Sequence, residues 1–155
     1  MDAVERFLGS AAAAGIEPQV RRFPEGTKTA VDAARAVGCD VDQIVKTLVF
    51  VVDDRPVLAL TSGRNRVDPV KLAAAAGGKG SRRATPEEAR AATGFAVGGT
   101  PPFGFPEQLP AFLDPDLLAF EEVWVAAGTP DSVFPIPPAT LERVTGAIRA
   151  AFTEG

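Results

Sequence analysis

The strongest constraint on what this chain can fold into is a ten-residue run, QIVKTLVFVV, at residues 43–52. Every position after Gln43 is apolar or β-branched except Lys46. Such a run reads as a buried strand. Side chains alternate across a strand, so Ile44, Lys46, Leu48, Phe50 and Val52 share one face, and Val45, Thr47, Val49 and Val51 share the other. Both faces are apolar, which predicts a central strand with one ammonium group among aliphatic neighbours. Asp53 to Pro56 form a turn and Val57 to Thr61 a return strand, so a hairpin is expected.

Lysine is seldom fully buried without a partner. Two readings of Lys46 follow. In one, it snorkels to water near the strand end or pairs with a structural carboxylate. In the other, it lines a pocket, where its charge meets an anion or polarises a carbonyl. Burial there would lower its pKa and suit it to act as a base or nucleophile.

Local signals place the remaining elements. Asp2 and Glu5 have capping-box spacing, and Val4, Phe7, Leu8, Ala11 and Ala12 follow at helical intervals up to Gly15. A short strand is expected over 19–23. Thr29 and Asp32 open a helix that stops at Gly38. Asp68-Pro69 begins a helix through Ala76, and Thr85-Pro86 another that ends near Gly94. Strands are expected at 111–113, 122–126 and 133–136. A last helix is predicted over 138–152, with Leu141, Val144, Ile148 and Phe152 on its buried face. Strands and short helices mix without a regular βαβ rhythm, and no linker or repeat interrupts them. The reading is one α+β domain over residues 1–155.

Composition narrows the function. The net charge is −4 and the pI about 4.9, so nucleic acid is not held by bulk electrostatics. The chain has no histidine, which excludes Ser-His-Asp and Cys-His machinery and histidine metal sites. Cys39 is the single cysteine, so neither an intrachain disulfide nor a thiolate cluster can form. It follows a helix-stopping Gly38 and reads as structural. No signal core or membrane-length apolar run is visible, and a cytoplasmic setting is expected. Chemistry must then rest on Lys46, hydroxyls, backbone amides and water.

Two further stretches can build a site. GGTPPFGFP (98–106) packs three glycines and three prolines into nine residues. Glycine permits close backbone approach to a ligand and proline fixes the surrounding shape. The bland reading is a rigid connection. LTSGRNRVD (60–68) hands a strand to a helix through hydroxyls and amides. There, Arg64 and Arg66 can meet phosphate or simply be solvated.

In order, QIVKTLVF (43–50), LALTSGRNRVDPVKLA (58–73), TGFAVGGTPPFG (93–104) and EEVWVAAG (121–128) resemble the YbaK/ProX family of aminoacyl-tRNA deacylases. The resemblance implies a compact α+β domain with a mixed, barrel-like sheet and short surrounding helices. It also implies trans-editing: hydrolysis of the ester joining a wrong, small amino acid such as Ala or Cys to tRNA for proline. The family's key lysine falls on Lys46, as the catalytic residue. Substrate-binding positions fall on Thr61, Ser62 and Gly63, on Gly98, Gly99, Thr100, Pro102 and Gly104, and on Gly128. Leu48- and Val97-type residues would form an apolar wall. Relatives often place a histidine or acid after the last glycine, where this chain offers Asp131 and Ser132. The implied partners are the aminoacyl-tRNA acceptor end and a synthetase, with no cofactor, no metal and no membrane. The tRNA body would meet Arg64, Arg66, Lys71, Lys79, Arg82 and Arg83. No sequence feature sets the oligomeric state. Two alternatives stay open: a non-catalytic aminoacyl-tRNA or nucleotide-binding module associated with a synthetase, and a lysine Schiff-base enzyme.

Overall fold

A computed structural model of the chain describes residues 1–27 and 29–155. The helices are α1 (Ala3–Ala13), α2 (Ala30–Val37), α3 (Pro69–Ala75), α4 (Pro86–Thr93) and α5 (Pro138–Thr145). The strands are β1 (Arg21–Arg22), β2 (Val45–Val52), β3 (Arg55–Ser62), β4 (Ser81–Arg83), β5 (Ala111–Leu113), β6 (Val123–Ala126), β7 (Ser132–Ile136) and β8 (Ile148–Arg149). Single 3-10 turns at Val41–Gln43 and Pro115–Ala119 complete the order.

The caps act as the sequence predicts. The Asp2 carboxylate accepts from the Glu5 amide at 2.8 Å, and Thr29 Oγ1 from Asp32 at 3.0 Å. Thr85 and Glu88 form a reciprocal capping box at α4, and Gly94 closes that helix in the left-handed region. The expected C-terminal helix is shorter than its periodicity suggests. Gly146 adopts φ +68° and ends α5 at Thr145. The chain then runs as β8, which leaves Ile148 exposed rather than on a buried face.

β2 and β3 pair antiparallel along their whole length, with Lys46 opposite Thr61. Two residues, Asp53 and Asp54, connect them with φ of +47° and +70°. Positive φ at both central positions matches the right-handed twist of a hairpin. β5 adds to β3 in parallel and β8 to β5, so the five-stranded sheet β4-β2-β3-β5-β8 is mixed. A second, antiparallel sheet has the order β1-β7-β6. A parallel bridge from Ile44 to Trp124 joins the two sheets, which do not close into a barrel.

Three apolar clusters hold the layers. The largest packs Val45, Val49, Leu58 and Leu60 of the hairpin against Phe7 of α1, Val123 and Val125 of β6, and Phe134 of β7. Full burial of each such side chain contributes roughly 1.5–3 kcal/mol. The opposite hairpin face, with Phe50, Val57 and Ala59, is covered by Leu72 and Phe152. A third cluster seats α2 on the sheet junction through Ala33, Ala34, Ile44 and Trp124.

β2 is an interior strand only in part. β4 pairs with residues 50–52 alone, and the Trp124 bridge touches position 44. Between these two contacts β2 has a strand partner only on the β3 side. That gap positions the site.

Candidate active site

A cavity of about 410 Å³ opens along this free edge of β2. Its floor is Val45, Lys46, Thr47 and Leu48. Trp124, Ala126 and Val133 of the second sheet close one side, and Thr29, Ala30 and Ala33 of α2 another. Val97, Gly98, Thr100 and Arg83 complete the wall. Leu48 and Val97 are therefore among the apolar lining.

Lys46 is half-buried at this cavity, and its ammonium donates to the Asn65 main-chain carbonyl. Burial holds the Lys46 pKa below its ordinary value, and the Arg83 and Arg66 guanidiniums push the same way. Asp114 opposes them. Lys46 therefore has a neutral hydrogen-bond acceptor and an adjoining hollow, and among the described residues no carboxylate ion pair.

The glycine–proline loop divides between two hollows. Gly98 and Thr100 line the Lys46 cavity, and Thr100 Oγ1 donates to the Ala96 carbonyl at 3.1 Å. The Gly99 amide is committed to Ala96, and a Cβ there would lie 2.6 Å from Thr129 C. Pro102 and Gly104 lie elsewhere. With Phe103 and Phe105 they line a separate hollow of about 360 Å³ against α1. Phe103 stacks on Phe7 at 5.1 Å between ring centroids, which anchors the loop. Gly104 has φ +96°, and a Cβ there would lie 3.1 Å from the Ser10 side chain.

Thr61, Ser62, Gly63 and Gly128 are not among the cavity-lining residues. Thr61 is fully buried opposite Lys46. Ser62 donates its amide to Asp114 Oδ2 at 3.1 Å and its hydroxyl to the Asp42 carbonyl at 2.8 Å. Gly63 runs so close to Val41 that a Cβ would collide with its carbonyl oxygen. Gly128, at φ +123°, lies under α1, where a Cβ would come within 2.8 Å of the Ala3 carbonyl oxygen.

Asp131 and Ser132 are spent inside their own loop. Thr129 Oγ1 donates to Asp131 at 2.5 Å and lies 2.7 Å from Ser132 Oγ. Of the six basic residues, only Arg83 reaches the cavity. Arg64 pairs with Asp42, Arg82 binds Glu88 in a two-pronged contact at 2.7 and 2.8 Å, and Lys71 donates to the Thr153 carbonyl. Cys39 lies outside the cavity, its thiol pKa raised by burial and then by Asp40.

The sequence reading did not single out the α2 wall or Trp124, and it assigned Arg83 to the tRNA body rather than to the cavity. The Arg83–Phe50 contact at 6.0 Å comes from β4, a three-residue strand with no periodicity to reveal it. Among the described residues no cluster of acidic or thiol side chains could hold a metal ion. None of the described helices is long and apolar enough to cross a membrane.

An ammonium beside a largely apolar hollow, with threonine side chains in its lining, can meet a polarised carbonyl or a phosphate. Sequence and structural comparisons give that class its family. The aminoacyl-tRNA editing domain family matches residues 24–144, and the chain belongs to that family. Its class of enzyme is the aminoacyl-tRNA deacylase, an ester hydrolase. A solved structure of a candidate trans-editing enzyme for prolyl-tRNA synthetase superposes with TM-score 0.94 and 46% identity, covering 100% of this chain and 99% of the other. EbsC of Enterococcus faecalis, a candidate Cys-tRNA(Pro)/Cys-tRNA(Cys) deacylase, is 29% identical over 84% of this chain and 80% of its own. The proline–tRNA ligase of Nitratidesulfovibrio vulgaris is 37% identical over 92 residues, which are 59% of this chain and 16% of the ligase.

Proposed function

We propose that this chain removes a small, wrongly attached amino acid from tRNA for proline, acting in trans to a prolyl-tRNA synthetase. The observation that carries the reading is the Lys46 ammonium, half-buried at a cavity of about 410 Å³ with an apolar lining. That volume is near the small end of the roughly 300–1,000 Å³ typical of ligand pockets. It suits an aminoacylated 3′ end better than a long stretch of nucleic acid. The similarity to a candidate trans-editing enzyme and to a candidate Cys-tRNA(Pro) deacylase supports the substrate class.

The substrate is an activated ester, so no strong nucleophile is needed. Water attacks the carbonyl carbon, and negative charge builds on the carbonyl oxygen. Collapse releases the amino acid and restores the ribose hydroxyl. Lys46 steadies the developing oxyanion or holds the adjoining phosphate, together with the main-chain amides of Gly98 and Thr100. Leu48, Val97, Ala126 and Val133 sort the side chain by size. One methylene is worth only about 1–3 kcal/mol in such a pocket, so exclusion by bulk favours Ala and Cys over larger groups.

The test is a panel of mischarged tRNAs with wild type and Lys46→Ala. Loss of one contact to the developing charge should lower kcat on the order of 100- to 1,000-fold. Thermal stability should stay within about 1 kcal/mol of wild type, because the side chain is only half-buried. Full hydrolysis by Lys46→Ala across the panel would make the lysine structural and overturn the mechanism. Tight binding of the charged 3′ end by the wild type without turnover would instead identify a binding module.

A further inference from the structure

Asp114 is the most deeply buried carboxylate near the site, at 1% exposure, yet it does not line the cavity. It follows β5 directly and its own amide donates to the Leu60 carbonyl, which fixes it beside the end of β3. Both of its oxygens accept hydrogen bonds. Oδ1 accepts the Asp116 amide at 3.0 Å and caps the following 3-10 turn. Oδ2 accepts both the Ser62 amide, at 3.1 Å, and the Asn65 side-chain amide, at 2.8 Å. Ser62 and Asn65 are the ends of one tight turn, closed by the Asn65 amide on the Ser62 carbonyl at 2.9 Å. The carbonyl of that same Asn65 takes the Lys46 ammonium. Helix capping needs only Oδ1. The second oxygen is therefore spent on the turn that holds the lysine.

We propose that Asp114 is a positioning residue for the hydrolysis, its buried carboxylate clamping the Ser62–Asn65 turn so that the Asn65 carbonyl fixes the Lys46 ammonium at the cavity. The inference rests on the reading of Lys46 as the group that meets the substrate. Electrostatics agree with the geometry. Arg83 from β4 and Arg66 from the loop after β3 both disfavour the charged amine, and Asp114 favours it. Asp116 joins the same clamp through a 2.7 Å contact with the Asn65 side chain, and Asp42 is occupied by Arg64. Asp114 therefore aims the amine and also helps keep it protonated.

The experiment reads Lys46 directly and separately from turnover. The Lys46 side-chain resonance, identified by its absence in Lys46→Arg, is titrated by NMR in wild type, Asp114→Asn and Asn65→Ala. Asparagine still caps a helix well, so Asp114→Asn removes the charge and the clamp and leaves the cap. Its lysine midpoint should move to lower pH, and the alkaline limb of the deacylation profile should move with it. kcat should fall on the order of tenfold to a hundredfold with KM little changed, as for a misplaced catalytic group. If Asp114→Asn does not fold, Asn65→Ala carries the test, since it opens the clamp and leaves the buried carboxylate in place. It should shift the lysine midpoint and lower kcat, with some loss of thermal stability because the buried Asp114 carboxylate loses a hydrogen-bond donor. A lysine midpoint and alkaline limb that stay in place in the folded variant would overturn the proposal, whatever the activity. Should Lys46→Ala prove fully active, the catalytic reading falls, and the titration still reports whether the clamp governs the amine.

Discussion

At the residue scale the proposed chemistry turns on an amine whose folded-state pKa is depressed. The pH dependence has two signs. In the proposed mechanism the ammonium meets the substrate, so activity should fall as pH rises through the lowered Lys46 value, below the ordinary 10.5. Stability should move the other way. The unfolded chain keeps that proton to higher pH than the folded one, so this group's contribution to stability rises between the folded value and 10.5. A pH–rate profile set beside chemical denaturation at matching pH values checks both signs, and Lys46→Ala should lack both limbs. Lys46→Arg should not restore full activity, because a planar fork cannot take the place of a compact ammonium against one carbonyl. Gly99→Ala tests the packing behind the site. Its Cβ would lie 2.6 Å from main-chain atoms of Thr129, so it should cost about 1–3 kcal/mol in denaturant unfolding.

At the element scale the β2–β3 hairpin and α4 give the clearest contests. Asp53 and Asp54 both hold positive φ, yet only Asp53 has a second task. Its carboxylate accepts the Lys79 amide at 3.0 and 3.1 Å and the Gly80 amide at 3.1 Å. Asp54→Gly should therefore stabilise by up to about 1 kcal/mol, as strain is relieved. Asp53→Gly relieves similar strain but forfeits charge-assisted hydrogen bonds, so it should destabilise by roughly 1.5–3 kcal/mol. Opposite shifts in the urea midpoint for the two variants check the argument. In α4 the Arg82 contact and the Thr85 amide hold the Glu88 pKa down at about 2. The help this group gives α4 is complete above the ordinary 4.5 and disappears as pH falls through about 2. Both the hairpin and the cap were legible in the sequence, because turn and capping chemistry act over three or four residues. The end of α5 was misjudged for a related reason. The 3.6-residue periodicity of Leu141, Val144, Ile148 and Phe152 continues past Gly146, but the backbone does not.

At the scale of the whole molecule the acidic chain presents its cavity through a few local cations. Only the acceptor end is expected to touch it. The slope of log kcat/KM against log salt should then be shallow, about −1 to −2, given roughly 0.7 per single-stranded phosphate contact. A much steeper slope would mean that the tRNA body is bound extensively. Trp124 is the only tryptophan and lines the cavity. A non-hydrolysable aminoacyl-nucleoside analogue should therefore shift intrinsic fluorescence, while a ligand in the second hollow beside Phe103 should leave it unchanged.

A continuous apolar, β-branched run, capping pairs and helix-ending glycines fix the hairpin, the helix starts and the placing of one lysine in an apolar strand. These signals act between near neighbours, so the chain carries them without knowledge of its fold. Three things were decided only by tertiary structure. A three-residue β4 leaves half of β2 uncovered, and that gap is the cavity. Docking on α1 splits the glycine–proline loop between two hollows. A carboxylate 49 residues from Asn65 completes the Lys46 surroundings. Each depends on which distant segments the core brings together, and no local pattern encodes that distance.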